Sequence, residues 1–395
     1  MLNSLNKFLL GLWIVSLTVL IFVVLNIDKQ PNIEMVEGKE INPNPNPNEQ
    51  QIQVNQQLEE PLEVTQPVNA VQEEPKIMKE SVRLAMLGDI LLHLRLAQYK
   101  DFTSSFKFVS PIMQSYDYLI ANQESLPVGN KYALSGYPQF SSPPHIIRDM
   151  QNAGVDMVTI ANNHTVDKGE GGVRTLFENL ESYHMPYVGA YQSNEDAMQH
   201  RVIELGSIKI GMLAYTYGTN GLYLPKGSPF IINYFDEAKM TADIERLKKE
   251  VDVVAVSMHW GTEYVTHEND YQRHMTNVLN QAGADVVFGT HPHVLQPYKR
   301  VVNEQGHETH VFYSLGNFFS TILIVPDTMI GGIGSLEITK EGETVSIGNP
   351  QFDATTVLKD SDGIYRIYPL KDVEERAVQN LQWVKTVLGE EVTVY

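Results

Sequence analysis

Residues 81–395 predict an α/β protein of layered sheet architecture. Short apolar runs alternate with longer segments of helical period. Five of these runs end in metal-capable polar residues, at the strand edge where open α/β sheets bind ligands. An 18-residue apolar run near the N-terminus adds one membrane-spanning helix ahead of the domain.

That run, Phe8 to Leu25, has only Gly11, Ser16 and Thr18 as weakly polar members. Lys7 precedes it and Asp28 and Lys29 cancel beyond it, so the charge bias places the short N-terminus inside and the rest outside. A cleaved signal peptide is the alternative. The run exceeds a usual signal-peptide core, however, and no A-x-A-like site follows Leu25, so residues 1–30 read as an uncleaved anchor.

Residues 31–80 hold 7 of the 20 prolines and carry a net charge of −7. Low hydrophobicity with that charge describes an extended stalk rich in Pro, Asn, Gln and Glu. The first 30 residues carry +1, which leaves −13 of the overall −19 on residues 81–395. This acidity argues against a broad nucleic-acid-binding surface. The absence of cysteine excludes disulfides, thiol nucleophiles, zinc ribbons and a lipid-modified cysteine anchor. At 315 residues the domain is long enough to bury roughly three quarters of its unfolded surface.

The five runs follow one another along the domain. Val82 to Leu87 leads to Gly88 and Asp89, Tyr118 to Ala121 to Asn122, Gln123 and Glu124, and Val155 to Ala161 to Asn162, Asn163 and His164. Val251 to Met258 leads to His259, Trp260 and Gly261, and Ala284 to Gly289 to Thr290, His291, Pro292 and His293. Between and after them, a helix is predicted from near Gly169 through Leu180, a charged amphipathic helix across Asp243 to Lys249, and a terminal helix over Val373 to Leu388. Residues 81–340 read as the main domain and 341–395 as a C-terminal extension packed on it.

The donor types make a chemical set. Carboxylates of Asp89 and Glu124, the amide of Asn163, and imidazoles of His259, His291 and His293 suit Mn, Fe or Zn. His291 and His293 are two apart, so an extended segment would point both the same way. Six donors exceed what one tetrahedral zinc needs, whereas two divalent transition metal ions sharing a carboxylate use them all. Such a pair clamps a phosphoryl group for in-line attack.

Taken in order, Gly88-Asp89-Ile90-Leu91-Leu92-His93, Asn122-Gln123-Glu124, Ala161-Asn162-Asn163-His164 with Asp167 and Gly169, and His259-Trp260-Gly261 with Glu263, Tyr264 and Gln272 carry a family resemblance. With Gly289 to Gln296 and Tyr313 to Phe318, they closely resemble the CapA/PgsA family of poly-γ-glutamate capsule synthesis. The resemblance covers about residues 82–320. It implies a metallophosphoesterase-like β-sandwich flanked by helices, anchored by one helix in the cell membrane with its C-terminal domain outside. It further implies that Asp89, Glu124 and His293 hold one metal, and that Asn163, His259, His291 and the bridging Glu124 hold the other. The resemblance also implies a catalytic role for His164, as proton donor to the leaving group or as a stabiliser of charge in the transition state. Two positions depart from the phosphoesterase pattern. Leu91 stands where the Asp-x-His motif has histidine, with His93 the candidate replacement ligand, and the bridging residue is Glu124 where Asp is usual.

Asn122, Glu263, Tyr264, Gln272 and Asn317 are candidates for contacting substrate or supporting the ligands. Two functions follow from the resemblance. One is a metal-dependent, phosphoesterase-type hydrolase acting on a phosphoester or in polymer assembly. The other is a non-catalytic subunit that holds the anionic polymer, poly-γ-glutamate, within a synthase and export complex of other membrane subunits. Neither involves nucleic acid, and no Gly-rich phosphate loop is present.

Overall fold

The structure, a computed structural model, describes residues 79–322 and 325–395. The predicted anchor Phe8 to Leu25 and the stalk up to residue 78 lie outside the described residues. Among the described residues no helix is long and apolar enough to cross a membrane.

In chain order the strands are β1 (Lys79–Leu91), β2 (Tyr118–Gln123), β3 (Met157–Thr159), β4 (Tyr187–Val188), β5 (Ala190–Tyr191), β6 (Arg201–Leu205), β7 (Ile208–Thr216), β8 (Ile231–Ile232) and β9 (Val253–His259). They continue as β10 (Val286–Thr290), β11 (Leu295–Val302), β12 (Glu308–Leu315), β13 (Asn317–Ser320), β14 (Ile330–Glu341), β15 (Thr344–Lys359), β16 (Tyr365–Pro369) and β17 (Thr393–Val394). One sheet runs β16-β15-β14-β1-β2-β3-β4, with β13 paired to β1 and β17 to β15. The second runs β11-β12-β10-β9-β7-β6. In the first, β1 to β4 are parallel; in the second, β7, β9, β10 and β12 are parallel. All five apolar runs singled out in the sequence form strands.

Period-2 alternation along β1 shows how the layers form. Leu84 and Met86 enter one apolar cluster with Ile210 and Met212 of β7 and Ala255 of β9, which is the contact between the two sheets. Ala85 and Leu87 point the other way, onto Ile147 and Met150 of helix His145–Ala153 and Val173 and Phe177 of helix Gly169–Ser182. On the far side, Val254, Val256 and Met258 of β9 pack on Ile244 and Leu247 of helix Glu237–Leu247 and on Met275 and Leu279 of helix Asp270–Ala282. Helix, sheet, sheet and helix therefore stack as four layers, the sandwich flanked by helices that the resemblance implied. Burying each such side chain contributes roughly 1.5–3 kcal/mol, so the inter-sheet core fixes how the two sheets are set against each other.

Local signals explain the element boundaries. Asp236 accepts from the backbone N of Lys239 and starts its helix at Glu237, ahead of the charged stretch expected from Asp243. Asn269 and Gln272 form a capping box, and Gly283 closes that helix in the left-handed region at φ 96°. The terminal helix is shorter than the predicted Val373 to Leu388. It spans Leu381–Leu388, because the Asn380 side chain accepts from Trp383 N and sets the start there. Residues 344–369 supply β15 and β16, which extend the first sheet antiparallel from β14.

Candidate functional site

Parallel strands of both sheets end on one crevice. From the first sheet, β1 carries Asp89, β2 runs into Glu124, and the turn after β3 carries Asn163 and His164; from the second, β9 ends at His259 and β10 leads into His291 and His293. β13 adds Asn317, the register partner of Asp89. Gly88 makes this convergence possible. A Cβ there would stand 2.1 Å from the Gly316 carbonyl oxygen, whereas glycine lets Asp89 N donate to that same oxygen at 2.9 Å.

The histidine pair departs from the extended segment expected of it. His291 and His293 have φ of 96° and 60°, so the chain turns through the left-handed region at both. Side chains there cost of order 1–3 kcal/mol each, and the surroundings hold the turn. His291 N donates to Asp89 Oδ2 at 3.3 Å, and Tyr264 N donates to the Pro292 carbonyl at 2.8 Å. Tyr264 itself has φ of 66°.

The six predicted ligands come together. Glu124, His291 and His293 place ligand atoms within 4.8 Å of one another. His259 Nε2 lies 3.1 Å from Asn163 Oδ1 and 3.6 Å from Glu124 Oε1. His293 Nδ1 lies 3.1 Å from Asp89 Oδ2, and its Nε2 lies 3.8 Å from Glu124 Oε1. Neighbouring side chains aim these donors. Thr290 Oγ1 meets His259 Nδ1 at 2.9 Å, which turns Nε2 toward the crevice, and Asn122 Nδ2 donates to Asp89 Oδ1 at 2.8 Å.

Both carboxylate oxygens of Glu124 and the Nδ1 of His291 are buried without a hydrogen-bond partner. A buried carboxylate with no donor is costly by itself, and cations resolve it. The donor set of carboxylate, amide oxygen and imidazole therefore fits divalent transition metals.

The electrostatics favour ligation at His259 and His291, while His293, held protonated by its carboxylate neighbours, gives up a proton when it ligates. Burial, and then the charge of Asp89, push the Glu124 carboxyl well above its ordinary range. Burial and neighbouring imidazoles hold His259 and His291 well below theirs, so both are neutral and able to ligate. Burial also opposes charge on His293, but Glu124 and the hydrogen bond to Asp89 outweigh it and raise the imidazole to about 9.

His164 sits beside the ligands with its own support. Its Nδ1 is 2.8 Å from Asp167 Oδ2, which also accepts from Phe140 N, and Phe140 meets the imidazole edge-on at 4.6 Å. Across Phe140, at 5.3 Å, lies the ring of His93. His93 is outside the 4.8 Å group, and its Nδ1 faces Ser320 Oγ at 3.5 Å. Burial, then the charge of His293, hold it down at about 4. Leu91 packs with Phe140 and Ile322 in a small apolar cluster.

The remaining candidates divide by position. Asn122 and Asn317 touch ligands, Asn317 Oδ1 lying 3.1 Å from His293 Nδ1. Tyr264 stands 6.1 Å from the His293 ring, and Glu263 is exposed beside it. Gln272 is spent elsewhere: it donates to Gln296, which pins the carbonyls of Val265 and His267 and so fixes the loop after His259. Three participants receive no role from the sequence, although Asp167 and Thr290 lie within its motifs. Asp167 and Thr290 orient histidines. Tyr217, at the end of β7, packs its ring 4.7 Å from His291. The apolar run before Tyr217 is a sixth strand ending at the same edge, and that signal was available.

The profile described as "Bacterial capsule synthesis protein PGA_cap" matches residues 83–321. The PGA biosynthesis protein CapA of Bacillus subtilis is 29% identical over 260 residues, covering 62% of this chain and 66% of that protein. The capsule biosynthesis protein CapA of Bacillus anthracis is 28% identical over 251 residues, 60% of each chain. This chain thus spans less than two thirds of either relative's length. Among solved structures, a calcineurin-like phosphoesterase from Bacillus subtilis aligns with TM-score 0.42 at 13% identity, over 78% of this chain and 96% of that one. A 5'-nucleotidase precursor from Thermus thermophilus aligns with TM-score 0.42 at 15% identity, over 70% and 54%. With the profile matching residues 83–321, more than half of its length, the chain belongs to the bacterial capsule synthesis protein PGA_cap family.

Proposed function

We propose that this chain is a membrane-anchored, outward-facing protein of poly-γ-glutamate capsule biosynthesis whose crevice is a dinuclear-metal, phosphoesterase-type hydrolytic site. The observation that carries this reading is Glu124: a buried carboxylate with neither oxygen partnered, surrounded by imidazole and amide donors. Asp89, Glu124 and His293 would hold one ion, and Glu124, Asn163, His259 and His291 the other. When bound, such a pair polarises a phosphoryl oxygen and lowers the pKa of water to near neutrality.

The chain's own residues supply the rest. Asp167 accepts from His164 Nδ1, which leaves Nε2 to give a proton to a leaving group. Phe140 and Leu91 keep that side of the crevice apolar. Among the six ligands only Asp89 and Glu124 carry negative charge, so two divalent ions leave a local positive excess for a phosphate or a polymer carboxylate. This is how an acidic domain would take an anionic substrate. The run Phe8 to Leu25 supports the anchor, and the capsule-synthesis relatives support partners among synthase and export subunits.

A second reading, a subunit that holds polymer without turnover, draws on Leu91 standing in the place of a ligand. Hydrolysis of bis(p-nitrophenyl) phosphate by the full-length chain with Mn²⁺ separates the two. Chelator-sensitive turnover, lost in His259→Ala, is expected; metal-dependent polyglutamate binding with no hydrolysis would leave the second reading standing.

A further inference from the structure

We infer that the two metal positions of this crevice are unequal: the one built by Glu124, Asn163, His259 and His291 binds tightly, and the one built by Asp89, Glu124 and His293 binds weakly. This rests on the reading of the crevice as a metal centre and adds an order of filling to it.

The first ground is donor number. The tight position has four side chains, two of them imidazoles. The weak position has three, because Leu91 replaces the further imidazole and turns its side chain into the apolar cluster with Phe140 and Ile322. His93 does not make up the loss, since its ring lies beyond Phe140 and faces Ser320.

The second ground is which donors are already satisfied within the protein. Among the six ligands the unpartnered buried atoms are both oxygens of Glu124, which the two positions share, and the Nδ1 of His291, which belongs to the tight position alone. At the weak position Asp89 is occupied on both oxygens, by Asn122 Nδ2 at 2.8 Å, by His291 N, and by His293 Nδ1 at 3.1 Å. His293 Nδ1 also meets Asn317 Oδ1, which Thr328 O fixes by accepting from Asn317 Nδ2 at 3.0 Å. An ion entering there displaces several hydrogen bonds on Asp89 and His293, whereas one at the tight position displaces only the contact of His259 Nε2 with Asn163 Oδ1 and meets the free Nδ1 of His291.

Titrating Mn²⁺ into the metal-free full-length chain, by calorimetry and by EPR of free Mn²⁺, tests this. One ion is expected to bind with a Kd at least about 10- to 100-fold below that of the second. His259→Ala should abolish the tight event, while His293→Ala should abolish only the weak one. Leu91→His should tighten the weak event and narrow the ratio. If that variant does not fold by circular dichroism, the wild type and the two histidine variants decide the matter. Two ions binding within about a factor of three of each other would overturn the inequality alone. So would His293→Ala removing the tight event as completely as His259→Ala. Absence of any Mn²⁺ binding would overturn both the inequality and the metal reading beneath it.

Discussion

His259 Nε2 stands 3.1 Å from Asn163 Oδ1, although His259 ends β9 of one sheet and Asn163 follows β3 of the other. The crevice is therefore assembled by the sandwich itself. Leu84 and Met86 against Ile210 and Met212 set the distance between the sheets, and that distance brings donors from both within a few ångströms. Chemistry at this edge depends on a core whose residues never touch a ligand.

His164 and Asp167 form a unit separable from the metal ligands. Replacing His164 by Ala is expected to lower hydrolysis about 10²- to 10⁴-fold while leaving bound metal unchanged. Asp167→Asn should lower it in the same direction, because the amide no longer holds the imidazole in one tautomer. Steady-state kinetics alongside metal analysis of the same preparations checks both.

Gly88→Ala is expected to be among the most damaging substitutions outside the ligand set. Its Cβ would meet a backbone oxygen, Gly316 O, at 2.1 Å, and the next nearest atoms, Gly316 C and Leu315 O, are also backbone and cannot move aside as a flexible side chain would. Thermal unfolding should show a loss of about 2 kcal/mol or more, and the shift of Asp89 should weaken metal binding in whatever protein still folds.

The turn at the histidine pair predicts a difference between two ligand-removing variants. His293→Gly and His293→Ala both lose the imidazole, but only glycine adopts φ near 60° without cost. In metal-free protein the Gly variant should be the more stable by about 1 kcal/mol, read from paired denaturant melts. Equal stabilities would show that the turn is not strained.

Far from the crevice, Asp360 provides a pH-dependent contact. Burial raises its pKa, but hydrogen bonds from Tyr368, Arg376 and Arg366 outweigh that and leave it lowered. A lowered carboxyl contributes stability that is full above its unfolded value of 3.8 and fades as the pH falls below it through the folded value. Asp360→Asn should therefore lower the melting temperature by about 1–2 °C at pH 7. Below pH 3.8 the difference from wild type should shrink, and a constant difference across that range would contradict the assignment.

Much of this was legible in the sequence because strand ends announce themselves. Val82 to Leu87 followed by Gly88 and Asp89 carries both the apolar run and the residue that lets two backbones meet, and an apolar run leading to a donor recurs at Glu124, Asn163, His259 and His291. The bend at His291 and His293 was not legible. Pro292 between two histidines suits an extended segment equally well, and tertiary hydrogen bonds to Asp89 and from Tyr264 decide otherwise. The short terminal helix was missed because the apolar period from Val373 onward continues across Asn380, whose capping side chain resets the start. Tyr217 and Thr290 receive no role from the sequence since neither residue type marks a ligand; only their placement against His259 and His291 gives them one.

The claim that the crevice is a metal centre built around Glu124 is tested most directly by the transition-metal content of the full-length chain after equilibrium dialysis against Mn²⁺. At least one ion per chain should be retained by the wild type and lost in Glu124→Gln and His259→Ala. A wild-type chain that retains no stoichiometric transition metal would contradict the account.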